Sequence, residues 1–398
     1  MSARPVRILA AVSTLCLSGA YLIAQLVGAG TLVQTLFGIP YTQAIVLVGT
    51  LMVIYVTFGG MVATTWIQII KASLLMLTAL AMTLLVIGRF GLSADCLIGA
   101  ASKTQADPDR YLQPGRLLPD GISAVGLGLA FALGPAGLPH VLMRFFTVKD
   151  AQTARRSLSS ATAIIALFQL MVIVLGYAAA ALVRPEGLVG GPNMAVLHLA
   201  QALGGDTLLG LTAAVTFATI LAVVSGLTLA AASAVSQDLY KNVWQHGVAT
   251  ETEELRISRL STVLLGAAAI YTAILFQHQN VGFLATLPLV MAASVNSPTL
   301  LLTMYWRGLT TRGAVAGAMT GLVLSVGLIV LSKKVWVEVL GHGHPVFPYE
   351  YPTLFSLGAA VLIAVLVSIT DRTPRAQLER KAFAAQFRDS ELGRGTAP

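Results

Sequence analysis

Gly134-Pro135-Ala136-Gly137-Leu138-Pro139 places two prolines and two glycines inside an otherwise apolar stretch. Such a run must interrupt a helix, because proline removes a donor and clashes with the preceding turn. At membrane depth a break is tolerated where it lines a cavity or is buried in protein. Half-helix ends of this kind can hold ions and substrate carboxylates; a packing kink is the alternative. His140 follows directly. It is either a group that titrates near neutrality or a hydrogen-bonded structural histidine. A second set is the hydroxyls Thr216, Thr219, Ser225, Thr228, Ser233 and Ser236. Hydroxyl oxygens suit a hard cation such as Na+. Thr219 and Ser225 do not share a helix face well, and hydroxyls also serve interhelical packing. Third comes Lys71, with Gln68 one turn away and Gln25 and Gln34 in or near the first apolar stretch. Its ammonium either snorkels to the membrane surface or acts as a carboxylate partner or proton site. This is the chemistry of coordination and proton transfer. Motifs for bond cleavage or phosphate binding (H-E-x-x-H, Walker A, G-x-G-x-x-G before a soluble helix) are absent, and no enzyme is expected.

The elements that position these groups are membrane spans. From Ile8 to Gly88 the chain carries one charged side chain, Lys71. A soluble surface needs charges, whereas a charge at mid-bilayer costs at least a few kcal/mol. Over the whole chain 56% of residues are apolar and 11% charged, with mean hydropathy +0.80. Ten spans are expected, at 6–29, 41–59, 62–88, 121–146, 155–183, 205–238, 258–277, 281–305, 313–332 and 352–370. The sixth exceeds one bilayer crossing and should tilt or extend beyond it. Residues 1–370 then form one all-α membrane domain, and 371–398 a cytoplasmic tail with a short solvated helix. Cys16 and Cys96 form no metal pattern, and no disulfide is expected.

With the N-terminus inside, inner segments hold 17 of the 25 Lys and Arg residues and outer segments 7. This bias puts both termini in the cytosol. It also accounts for the net charge of +8 without a nucleic-acid partner. The outer segments 89–120, 184–204 and 333–351 are rich in Pro and Gly and are expected as loops.

Tyr55-Val56-Thr57-Phe58-Gly59-Gly60-Met61-Val62-Ala63 resembles the signature of the sodium:solute symporter family. Other stretches resemble one branch, the cation/acetate symporters or acetate permeases. They are residues 21–30 (YLIAQLVGAG), 63–71 (ATTWIQIIK), 136–147 (AGLPHVLMRFFT), 234–240 (AVSQDLY) and 347–352 (FPYEYP).

The resemblance implies a LeuT-like fold of two inverted five-helix repeats, and cation-driven uptake of a short-chain monocarboxylate such as acetate by alternating access. Na+ or H+ would be the coupling ion, the cytoplasmic membrane the location, and no cofactor is implied. Residues 1–89 would belong to the first repeat, 121–332 to the second plus one extra helix, and 352–370 to the last helix. The residues expected to bind substrate are Gln25, Gly134, Pro135, Gly137, His140 and Asn296. The residues expected to bind or couple the cation are Lys71, Gln68, Thr219, Ala222 and Ser225, with Na+ near Thr219. The chain departs from the family at Ala222 and Val223, where paired hydroxyls are usual, and at Gln68 and Lys71, where relatives often carry Asp and Gln. It also begins three helices later than the family's pattern. The first repeat is therefore expected to be incomplete: either the start is set too late, or the chain is a fragment, or it is a remnant, and a fragment or remnant is not expected to transport alone. A membrane sensor built on the same fold is the alternative, though a 28-residue tail has no room for a kinase.

Overall fold

The structure is a computed structural model of the 398-residue chain. It describes all residues except 1–2, 59–60, 106, 114–117, 119, 146–149, 184–187, 247 and 392–398, and the side chains at 3, 58, 61–67, 110, 143–145, 151, 385 and 389–391 are also outside it. The Gly59-Gly60 pair, most of the adjoining signature, and the basic residues Arg110, Arg116, Arg144, Lys149, Arg184 and Arg394 therefore lie outside the description.

Among the described residues the chain is helical, with no strand beyond one isolated bridge. In order come α1 (Ala3–Phe37), α2 (Tyr41–Phe58), α3 (Met61–Phe90), α4 (Ala94–Lys103), α5 (Pro108–Tyr111), α6 (Gly121–Leu133) and α7 (Pro139–Phe145). They are followed by α8 (Ala151–Leu182), α9 (Ala195–Ser233), α10 (Glu251–Leu275), α11 (Val281–Tyr305), α12 (Thr311–Val330), α13 (Thr353–Thr370) and α14 (Pro374–Glu391). Eight of the described helices are long and apolar enough to cross a membrane, and Tyr41–Thr57 and Gly121–Gly137 are shorter apolar helices. Each of the ten expected spans has its counterpart among these.

The boundaries follow local chemistry. Gly38, at φ 67°, ends α1, and Pro40 precedes α2. Asp120 Oδ1 accepts the Ser123 N–H at the start of α6, and Thr250 with Glu253 forms a capping box on α10. The fourth span is broken as its composition requires: α6 gives way to a 3-10 turn, Gly134–Gly137, before α7 begins at Pro139. The sixth begins earlier than expected, with α9 kinked at Gly204 and Gly205. It absorbs its excess length by continuing as a π-helix from Ala234 to Trp244.

Two expectations are corrected. The segment 89–120 is not simply a loop, because Ser93 caps α4, Leu97 and Ala101 are buried, and α4 packs against α8. A local Pro/Gly count misses a helix held by tertiary burial. Nor is the tail merely solvated. Ala376 is buried, Glu379 caps the first turn of α12 through Thr311 N, and Arg380 Nη2 donates to Ser368 O at 2.6 Å. A charged helix docks here because it satisfies the orphan groups at two helix ends.

The main core joins Leu22 and Leu26 of α1, Ile45 and Val48 of α2, Val224 and Leu227 of α9, and Leu284 and Val290 of α11. Central α11 is 61% buried over its most apolar window, against 28% for α3 and for the segment containing α9. The more open faces of α3 and α9 meet α1 and α7 around one cavity.

Candidate substrate and ion site

A cavity of about 630 Å³ lies between α1, α3, α7 and α9. Tyr21 and Gln25, one turn apart, come from α1, and His140 comes from α7. From α3 come Gln68 and Lys71, also one turn apart, with Ile69, Ala72 and Leu75. The helical repeat brings Thr219, Ala222, Val223, Gly226 and Leu227 of α9 to the same space. Tyr21 and His140 meet edge-on, with ring centroids 5.9 Å apart and planes at 81°. They form one wall, and the amide and ammonium of α3 form another.

Lys71 is the only charged side chain among the described residues lining this cavity. No described residue forms an ion pair with it, and the described lining holds no carboxylate. A lone ammonium at membrane depth is costly, and an arriving anion lowers that cost. Thr219 Oγ1 donates to Val215 O at 2.7 Å, which leaves its oxygen able to accept from, or ligate, a guest.

The broken helix sits elsewhere. Asn296 Nδ2 donates to Gly137 O at 2.7 Å, Ser297 Oγ donates to Leu133 O at 2.6 Å, and Ser13 Oγ donates to Asn296 Oδ1 at 3.3 Å. The freed carbonyls at the break are thus bonded by α11 side chains. An added Cβ on Gly137 would stand 2.6 Å from Ala292 O. Backbone approach, not open space, occupies this junction.

The residues singled out in the sequence therefore divide. Gln25, Gln68, Lys71, His140, Thr219 and Ala222 come together at the cavity. Gly134, Pro135, Gly137 and Asn296 lie at the α6–α7 break against α11. Ser225 is buried and donates to Ala222 O at 2.8 Å, off the cavity. Tyr21 and Gly226 were not singled out as site residues. Their signal was positional: Tyr21 is one turn before Gln25 and Gly226 two turns after Thr219. A larger cavity, about 670 Å³, lies under α14 at the end of α11, bordered by Arg155, Tyr305 and Phe383. It gathers none of the candidate groups.

A family model described as "Sodium:solute symporter family" matches residues 2–321. Among solved structures, a Na+-coupled sialic acid symporter in a substrate-bound outward-open state matches with a TM-score of 0.66 at 14% identity. The match covers 92% of this chain and 74% of that one. At this identity the likeness is one of fold, and the fold is LeuT-like.

Proposed function

Because the chain belongs to the sodium:solute symporter family, whose members are transporters and not enzymes, we propose that it couples a cation gradient to movement of a short-chain monocarboxylate such as acetate across the cytoplasmic membrane. The observation that carries this reading is the cavity in which Lys71, Gln68, Gln25, His140 and Thr219 converge with no described carboxylate. Its sign favours an anion. Two other facts add support: the α3 and α9 walls offer apolar area to a small organic body, and the stretches that resemble acetate permeases hold Tyr21, Gln25 and His140.

In this reading the carboxylate pairs with the Lys71 ammonium, and the Gln68 amide donates to it. Gln25 and the Tyr21–His140 pair close the opposite wall. Na+, as co-substrate, approaches the Thr219 oxygen. Where H+ is the coupling ion, Lys71 carries it: a charged Lys71 binds the acid anion, and loss of its proton releases both. Alternating access exposes this one site to each side of the membrane in turn. Both termini face the cytosol, following the basic bias of the inner segments.

Uptake of labelled acetate into proteoliposomes under separate Na+ and pH gradients tests the reading. Acetate accumulation driven by either gradient is expected, with loss on Lys71→Met. No accumulation of any short-chain acid under either gradient overturns it. A strict Na+ requirement that survives Lys71→Met removes Lys71 from the coupling step.

A further inference from the structure

Five α9 side-chain positions border the cavity, and one of them, Gly226, has no side chain. Helix interiors keep glycine for a few physical reasons. A left-handed backbone is one, but Gly226 is not among the glycines of positive φ. Close approach of another backbone is a second, and it holds for Gly137 and Gly317, where an added Cβ would lie 2.6 Å from a carbonyl oxygen. At Gly226 the nearest atom to an added Cβ is Gln68 Nε2 at 3.6 Å, an ordinary contact. Neither conformation nor helix packing requires glycine there, and glycine in a helix interior costs about 1 kcal/mol relative to alanine. What remains is its place on the cavity wall, where a side chain would touch the Gln68 amide and take up part of the space that Lys71 also borders.

The geometry points to Gly226 as the residue that sets the chain-length limit of the transported acid: its bare backbone, beside the Gln68 side chain, leaves room for the carbons that follow a carboxylate held at Lys71. This rests on the carboxylate reading above and deepens it. The acid lies with its head on α3 and its alkyl end against the bare backbone of α9. A side chain at 226 fills that end of the site, so longer acids lose more than acetate does.

The test compares initial uptake of acetate, propionate and butyrate by the unaltered chain, Gly226→Ala and Gly226→Val in proteoliposomes. The readout is the ratio of kcat/KM for butyrate to that for acetate, which a general packing defect does not move. One methylene is worth about tenfold or more in a fitted apolar site, so a fall of about tenfold or more is expected for Gly226→Val. For Gly226→Ala a smaller fall in the same direction is expected. The Ala variant adds only an ordinary contact, so it decides the matter if the Val variant does not fold. A ratio unchanged in both variants, or an unaltered chain that takes acetate and no longer acid, overturns the inference while leaving the carboxylate reading standing. No uptake of any acid by the unaltered chain overturns both.

Discussion

The α11–α12–α13 side of the bundle and the α1–α3–α9 side use the same small and hydroxylated residues to opposite ends. On the first side, Gly313, Gly317 and Gly321 form a stripe at four-residue spacing, and added Cβ atoms would meet Ser368, Ala360 and Ser294. Ser294 and Ser356 hydroxyls lie 2.7 Å apart. These are small-residue contacts that let membrane helices approach closely. On the second side, Gly226 meets no such wall, and the polar groups of α1, α3 and α7 face a shared space. Polar atoms at sealed helix contacts hold the fold together; polar groups that line a cavity can also meet a guest. Residue type does not separate the two uses.

Overpacking the closed side should produce the largest change. Gly137→Val meets Ala292 O and Ser297 Oγ, and about 3 kcal/mol of stability should be lost, the upper end for overpacking. Thermal melting in detergent measures it. A variant that melts with the unaltered chain would show that the α6–α7 junction yields, and the contrast would fail there.

Lys71→Met should do the reverse. Uptake should fall by about 10–100-fold, the worth of a charged hydrogen bond, while the melting temperature stays within about 2 °C. Collapse of stability with loss of uptake would make Lys71 structural.

Asn296→Ala sharpens the boundary between the two regions. It leaves Gly137 O without its amide donor, which should cost about 1–2 kcal/mol. The KM for the acid should not move. A raised KM at unchanged stability would return Asn296 to the substrate site expected for it from the sequence.

The smallest effect concerns the tail. The Thr373 hydroxyl holds the Asp371 carboxyl below the usual carboxylate range, and its hydrogen bond is 2.7 Å long. A depressed folded pKa gives stability present above the unfolded value of about 3.9 and lost as pH falls through the folded one. A spin label at Lys381→Cys should therefore keep its mobility from pH about 8 to about 5 and loosen only in stronger acid. Loosening near neutrality would mean that another group holds α14.

Much of the fold was legible. The apolar runs that became the ten spans stand out because a bilayer excludes charge, and the α6–α7 break because Pro135, Gly137 and Pro139 cannot sustain a ladder. α4 was not legible, since its helix depends on burying Leu97 and Ala101 and on packing against α8. The docking of α14 was equally hidden, because Glu379 and Arg380 look like solvent residues until helix ends approach them. For the candidate site, residue types were readable but company was not: Gln25 and Asn296 are both amides within spans, yet only Gln25 borders the cavity.

By itself, then, the sequence determined that this chain crosses a membrane, where its spans run, where one span breaks, and that a single charge lies within the first 81 nearly uncharged residues after Arg7. Those are properties of short windows, set by transfer energies and backbone chemistry. Only the tertiary structure decided which polar groups share a space. A helix turns a new face every residue, and the packing of α11 against its neighbours settles which faces are sealed and which, on α1, α3 and α9, are left open to a ligand.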